Sequence, residues 1–413
     1  MEEEMVEHAA VGLVRGFAAE VAAVGSRIGR RFRRRECRER AVRYMTALVA
    51  PLDRKNGWQI AEELGESTPD NVQHFLRAAI WDADAVRDDL RSYVVDKLSA
   101  PTAVLVIDES GVVKKGDKSV GVRRRYRGAV GKVENCQIGV FLVYASPRGA
   151  AFVDRPLYLP EVWTSDPVRR TEAGVPASTT FATKPALATQ LLNRFVAATG
   201  QRPWVTGDEC YGADPHLRAW LDQEGLPSVL AARVTMPVAL TRTIDLWDVR
   251  AGRLAPASIA IDTTAGAAVA EVAATAWERL SAGSGAQGER WADWARLTLD
   301  DVPAHAGWRT WLMIRLSCDP TSTFDYFRVT GPAETTLDAL VRVAGTRWSI
   351  EQGLAETKGE VGLDHYEVRR WDGWHRHVTL ALLMHAILVV VRANEAAKGA
   401  PTSRPANSHL SSR

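Results

Sequence analysis

Beyond Pro101 the sequence becomes a succession of short apolar runs rich in β-branched residues, at Ala103–Asp108 (AVLVID), Gln137–Ala145 (QIGVFLVYA) and Ala150–Leu159 (AAFVDRPLYL). Runs of this length read as strands, the third by its alternation. Helix and strand then take turns. Lys184–Thr199 is an amphipathic helix, Trp204–Cys210 (WVTGDEC) a strand, His216–Glu224 a helix and Ser228–Val234 (SVLAARV) a strand. Three meandering strands followed by this alternation constrain the chain to an α/β fold, a mixed sheet with helices packed on it.

The flanks differ. Residues 1–98 read as helical, broken at Pro51, Gly57, Gly65 and Pro69. Within them Trp58–Arg77 approximates a helix-turn-helix, with Ala61, Gly65 and Val72 near the small, turn and core positions. Glu62, Glu63, Glu66 and Asp70 would set acid against a phosphate backbone, so a plain helical bundle fits as well. Residues from about 235 to 335 read as a β-rich insertion, with strand-like RWADWARLTL, WRTWLMIRLS and DYFRVTG and a flexible-looking SAGSGAQGE from Ser281. Thr336–Gly359 returns to helix. Val378–Val391 is an apolar run that includes Thr379 and His385, short for a bilayer span and normal for a buried helix. The expected organisation is a helical N-terminal domain (1–98), an α/β domain holding the insertion (99–395) and a disordered tail (396–413).

Apolar residues at 46% and charged residues at 25% are proportions of an ordinary globular protein, not of a disordered or fibrous one. Cys37, Cys136, Cys210 and Cys318 share no short spacing, which argues against a disulfide framework or a CxxC metal site and for a reducing compartment. The opening MEEEMVEH is acidic where a secretion signal is basic. A cytoplasmic protein without membrane association is expected. A net charge of +2 says little about partners, because a partner senses local fields. Locally, nine arginines stand between Ser26 and Arg43 against Glu36 and Glu39, and eight Lys/Arg stand between Val113 and Glu134 against Asp117 and Glu134.

Asp108 closes the first apolar run and Asp208 closes another, so both are expected at the carboxyl edge of the sheet, where ligands commonly bind. Either one alone is also explained as a turn or helix cap. Further on, Arg347, Glu351 and Lys358 stand at i, i+4 and i+11, within about 40° of one another on a helix. Leu354 shares that stripe, so a buried face edged by an Arg–Glu ion pair is the alternative reading.

Taken together, these places resemble the transposases of bacterial insertion sequences that carry a ribonuclease-H-like core with two aspartates and a glutamate (DDE). In one large group of them the glutamate lies in a Tyr-x2-Arg-x3-Glu-x6-Lys signature beyond a β-rich insertion. Arg347, Glu351 and Lys358 fill three signature positions, and Ala344 stands where Tyr is expected. The neighbourhoods GKVENCQIGVFLVY and GDECYG are similar to those of the first and second acids in the superfamily. The resemblance covers residues 100–395, plus a helical N-terminal domain, and implies a ribonuclease-H-like mixed sheet flanked by helices as the catalytic domain (99–395), with DNA binding by the N-terminal domain (1–98).

The resemblance implies metal-dependent DNA cleavage and strand transfer, with Asp108 bridging two Mg²⁺ ions (Mn²⁺ as substitute) and Asp208 and Glu351 each completing one. Arg347 and Lys358 would flank the scissile phosphate. Trp348 would stack on an unpaired base or else be buried. Lys114, Lys115, Lys118, Arg123, Arg124, Arg125 and Arg127 would bind the DNA backbone. The implied partners are double-stranded DNA, as element ends and target, and a second copy of the chain on DNA, in the cytoplasm and at the nucleoid. A transposase-derived regulator that binds without cutting would have lost a carboxylate, and none is lost. A nuclease that does not join shares the same metal core. Ser110 and Cys210 lack the context of a hydrolase nucleophile, His365, His375, His377 and His385 lack cysteines at zinc-ligand spacing, and no phosphate-binding GxxxxGK[ST] loop occurs.

Overall fold

Five helices open the chain: α1 (Glu2–Gly29), α2 (Arg35–Leu48), α3 (Gly57–Glu63), α4 (Asp70–Arg77) and α5 (Ala83–Leu98). The computed structural model describes residues 2–127, 132–285, 288–318 and 323–399. Helices α3 and α4 pack on each other across a turn at Gly65, whose φ of 75° suits a residue without a Cβ. Ile60, Ala61, Val72 and Phe75 face inward, and Glu66 is taken up by Arg40 at 2.6 Å. The local arrangement is that of a helical bundle.

The sheet follows. Strands β1 (Val104–Val113), β2 (Arg123–Arg127), β3 (Lys132–Ser146), β4 (Gly149–Asp154) and β5 (Leu157–Tyr158) lead through short helices α6 (Glu161–Thr164) and α7 (Pro167–Ala173) to α8 (Lys184–Thr199). Thr183 caps α8, Pro185 sits in its first turn and Gly200, at φ 67°, ends it, so this helix starts and stops where its sequence dictates. Strand β6 (Trp204–Gly207), α9 (Glu209–Gly212), α10 (Pro215–Gln223) and β7 (Ser228–Ala232) complete the unit. The central order is β4-β3-β1-β6-β7, with β3 antiparallel to β1 and β6 and β7 parallel to it. That is a ribonuclease-H-like mixed sheet with helices on it. The outer edge of β3 is shared end to end by β2, β5 and β4.

Between β7 and the last helices lie β8 (Pro237–Asp248), β9 (Arg253–Thr264), β10 (Glu278–Gly285), β11 (Gly288–Thr298), β12 (Trp308–Ser317) and β13 (Phe324–Pro332). Strand β13 pairs antiparallel with β7, so β10–β13 extend the same sheet to eleven strands, while β8 and β9 pair only with each other. The glycine-rich segment from Ser281, expected to be flexible, instead supplies the ends of β10 and β11, and residues 286–287 lie outside the described residues.

Thr336–Gly359, read as one helix, is divided at Arg347 into α11 (Leu337–Thr346) and α12 (Trp348–Val361). The last helix, α13 (Trp371–Gly399), is longer than its apolar run, and the tail beyond it, 400–413, lies outside the described residues. By length and composition α13 could cross a membrane, but its apolar window is 78% buried inside the protein. Helices α1, α2, α4 and α5 pack against it, and their buried side chains join those of the sheet in one cluster. Where α5, β4 and α8 meet, buried Asp154 accepts from Arg87 at 3.0 Å and Arg194 at 2.9 Å, beside a buried Arg155 that reaches Asp84 at 2.8 Å.

Candidate active site

Strand β1 runs on past its apolar half. Asp108 was expected at a strand end, yet it lies inside the ten-residue β1, opposite Phe141 of β3. The polar stretch Glu109-Ser110-Gly111 hides this continuation from a hydrophobicity pattern, because the backbone ladder to β3 holds it regardless. On the other side β6 stops at Gly207, which is paired with Ile107. The residue that follows each of this pair is an aspartate, so Asp108 and Asp208 stand level where the parallel pairing ends.

Glu109, not singled out in the sequence, completes this group. Oxygens of Asp108, Glu109 and Asp208 lie within 4.8 Å of one another, which among the described residues is the only such cluster of three ligand-type side chains. Asp108 accepts from the Glu109 amide at 2.7 Å, and Asp208 accepts from the Cys210 amide at 2.8 Å while capping α9. Burial, with the neighbouring Asp208 and Glu109 charges, pushes the Asp108 carboxyl up to about 7. Burial and the Glu109 charge raise Asp208 as well. Crowded carboxylates at half-buried positions are a donor set of hard oxygens that a divalent cation would neutralise, so the residues present fit such an ion.

Glu109 is itself held at both oxygens, by Tyr211 Oη at 2.7 Å and by Lys184 Nζ. Lys184 and Tyr211 are further members of the site that sequence reasoning missed. The adjacency of Glu109 to Asp108 and the GDECYG motif were the available signals.

Glu351 is not in the cluster. Its side chain is 44% exposed and pairs with Arg347 at 3.5 Å. Arg347, at the elbow between α11 and α12, is near enough to favour the charged forms of both Asp108 and Asp208. Helix α12 packs on β1, and Lys358 is half-buried two turns beyond Glu351. Trp348 is 58% exposed, which sets aside its buried alternative, and the Arg290 guanidinium lies 5.4 Å from its ring. Arg290 also donates to the carbonyls of Ala282 at 2.6 Å and Gly345 at 3.0 Å, fastening the β10–β11 hairpin to the α11–α12 elbow.

The expected basic surface divides. Lys114 is turned inward, donating to the Tyr366 carbonyl at 2.6 Å with its ammonium 3.4 Å from the Tyr366 ring centre, and burial pushes it down to about 8. Lys115, Lys118, Arg123 and Arg124 are exposed. The backbones of Arg125 and Arg127 pair with β3, and their side chains lie outside the described residues. Lys118, Arg123 and Arg124 border a cleft of about 980 Å³ to which Arg169, Arg369 and Arg370 contribute from elsewhere in the chain.

Comparison with known proteins supplies the family. A relative from Microchaete diplosiphon, a probable transposase for insertion sequence element IS701, is 30% identical over 186 residues. The aligned stretch is 45% of this chain and 46% of that relative, so the chain spans under half the length of the protein it matches. The family model described as DDE superfamily endonuclease matches residues 27–287, which takes in Asp108, Glu109 and Asp208 and ends before α12. Since that match covers more than half of the sequence, on a ribonuclease-H-like sheet that sets two aspartates level, the chain belongs to the DDE superfamily of endonucleases.

Proposed function

We propose that the protein is a DNA transposase that cuts at the ends of an insertion sequence and joins those ends to a target. The observation that carries this reading is the placement of Asp108 and Asp208 side by side where β6 stops, with Glu109 beside them, in a chain of the DDE superfamily. Asp108, Asp208 and, from α12, Glu351 are the residues that would hold the metal. Two ions of the Mg²⁺ type, with Mn²⁺ as substitute, would help activate the attacking oxygen and stabilise the leaving one.

The chain's own groups supply the rest. Arg347, paired with Glu351 and near enough to favour the charged forms of both aspartates, supplies positive charge beside the phosphate undergoing attack. Exposed Trp348 at the start of α12 offers a face on which an unpaired base can stack. When water attacks, a phosphodiester bond breaks and a 3′-hydroxyl is released. When that hydroxyl attacks target DNA, a new P–O bond forms as a target bond breaks, which turns cutting into joining. Membership of the group with the Tyr-Arg-Glu-Lys signature, Ala344 excepted, is part of this reading. So are DNA binding by residues 1–98, a dimer bridging two DNA ends, and a cytoplasmic, nucleoid-associated location.

Purified protein with Mg²⁺ or Mn²⁺ is expected to nick DNA bearing its own element ends. Asp108→Asn is expected to abolish nicking and leave DNA binding nearly intact. Equal nicking by that variant would sink the assignment.

A further inference from the structure

The two aspartates stand on separate segments. Asp108 belongs to β1, whereas Asp208 belongs to the turn from β6 into α9, so the β1–β6 ladder that ends at Ile107 and Gly207 brings their backbones level and the setting of their side chains depends on what ties β1 to α9. One series of side chains does so directly. Glu109 follows Asp108, Tyr211 stands three residues after Asp208, and Tyr211 Oη donates to Glu109 Oε2 at 2.7 Å. Lys184 Nζ, in the first turn of α8, takes the other oxygen, Oε1.

The segment that bears Tyr211 is itself fixed. Tyr211 is fully buried, and its ring lies so close to Gly207 that a Cβ there would stand 3.3 Å from Tyr211 Cδ2. At Gly212 an added Cβ would collide with the Ala231 carbonyl oxygen, so the α9 backbone lies directly against β7. A hydrogen bond to a carboxylate, made by a buried phenol on such a support, is among the stronger kinds and admits little play.

We propose that Tyr211, Glu109 and Lys184 form a brace that holds Asp108 and Asp208 at the separation a divalent cation requires. Glu109 and Tyr211 are then positioning residues, with Glu109 the anchor whose two oxygens are taken by Tyr211 and Lys184. The inference rests on the reading of Asp108 and Asp208 as cation ligands. Burial and like charge work against the ionised pair, and freeing the segments would let the carboxylates separate. A cation would then have to order them as it binds.

The test uses the full chain without DNA, titrated with Mn²⁺ and followed by the electron paramagnetic resonance of free Mn²⁺, with thermal unfolding in parallel. Tyr211→Phe keeps the ring and every carboxylate and removes one hydroxyl. Its Mn²⁺ affinity is expected to fall about tenfold, the low end for residues supporting a ligand shell, while its Tm stays within a few degrees of wild type. Lys184→Met breaks the other arm at a half-buried helix terminus and is expected to weaken Mn²⁺ in the same direction. Unchanged or tighter Mn²⁺ binding in both variants, as would follow if Glu109 were a ligand held back by Tyr211 and Lys184, overturns the brace. Asp108→Asn separates the two ideas: Mn²⁺ binding at wild-type affinity by that variant overturns the reading of the site itself, not the brace alone.

Discussion

A carboxyl group raised to about 7 by burial and by neighbouring charge, as at Asp108, costs stability wherever it is ionised. Its folded value exceeds the unfolded value of about 3.9, so the folded protein binds more protons between the two and loses stability as pH rises through that window. Above pH 7 the full cost remains, on the order of 2–4 kcal/mol after allowance for partial burial. Asp108→Asn removes the charge at nearly constant shape. The variant is therefore expected to unfold at a higher temperature than wild type at pH 8 without divalent cation, to lose the difference near pH 4, and to cleave nothing. Adding Mn²⁺ should stabilise wild type and not the variant. Calorimetric scans at the two pH values check this, and equal Tm at pH 8 would count against it. The two aspartates were legible as sequence because each closes an apolar run. Glu109 was not, since a carboxylate next to another reads as one more turn residue until Tyr211 and Lys184 are brought to it from 102 and 75 residues away.

Elements with their own start and stop signals were the legible ones. Helix α8 spans Lys184–Thr199 and β12 spans Trp308–Ser317, as their patterns predict. Elements defined by a neighbour were not. The second half of β1 exists because β3 pairs with it, and the ribbon β8–β9, whose alternation at Val238, Leu240, Ile244 and Leu246 was open to reading, pairs only with itself and leaves its far half largely exposed. The one-residue break at Arg347, which itself keeps helical dihedrals, was equally hidden, and beside it the insertion packs close, where Arg290 binds Gly345 and an added Cβ at Gly345 would meet the Ala282 carbonyl. Arg290→Ala is accordingly expected to lower DNA cleavage at least tenfold by loosening the elbow that carries Arg347 and Trp348, with little change in Tm; wild-type cleavage would show that the insertion does not position α12. A different element junction governs stability. Asp154 is 1% exposed between Arg87 and Arg194, and these partners, having overcome burial, hold its carboxyl below the usual range. Asp154→Ala leaves buried guanidinium groups without their anion and should cost about 3–5 kcal/mol, measurable by urea unfolding. Because the folded value is depressed, the wild-type contribution is present above about pH 4 and fades as pH falls, so the penalty of the variant should shrink in acid.

At the scale of the whole molecule, the two basic runs that look alike in sequence have different fates. In the first, Arg30 and Arg31 both close on Asp89, itself 3% exposed, Arg27 pairs with Asp96 at 2.6 Å, and Arg40 with Glu66. Much of that charge serves to fasten α1 and α2 to their neighbours. In the second, Arg123 and Arg124 stand exposed on the rim of the cleft completed by Arg169 and Arg370. Register fixes how far this rim lies from the acids: Asp108 to Val113 is five residues along β1, about 17 Å at roughly 3.3 Å each. Val113 faces Cys136, which in turn faces Arg123, so about two strand spacings across bring the separation to roughly 20 Å. That equals about six base-pair steps of 3.4 Å. DNA cut at the aspartates could thus lay its flanking backbone on the rim. Replacing Arg123 and Arg124 by Ala should weaken DNA binding and reduce the slope of log affinity against log salt by about 2, one counterion for each phosphate that the variant no longer neutralises. Arg31→Ala should leave that slope unchanged and lower stability instead, since it strips a partner from buried Asp89. Titrations of labelled element ends at several salt concentrations distinguish the two. A slope reduced by Arg31→Ala and kept in the double variant would move the DNA path from the rim of the cleft to the N-terminal helices.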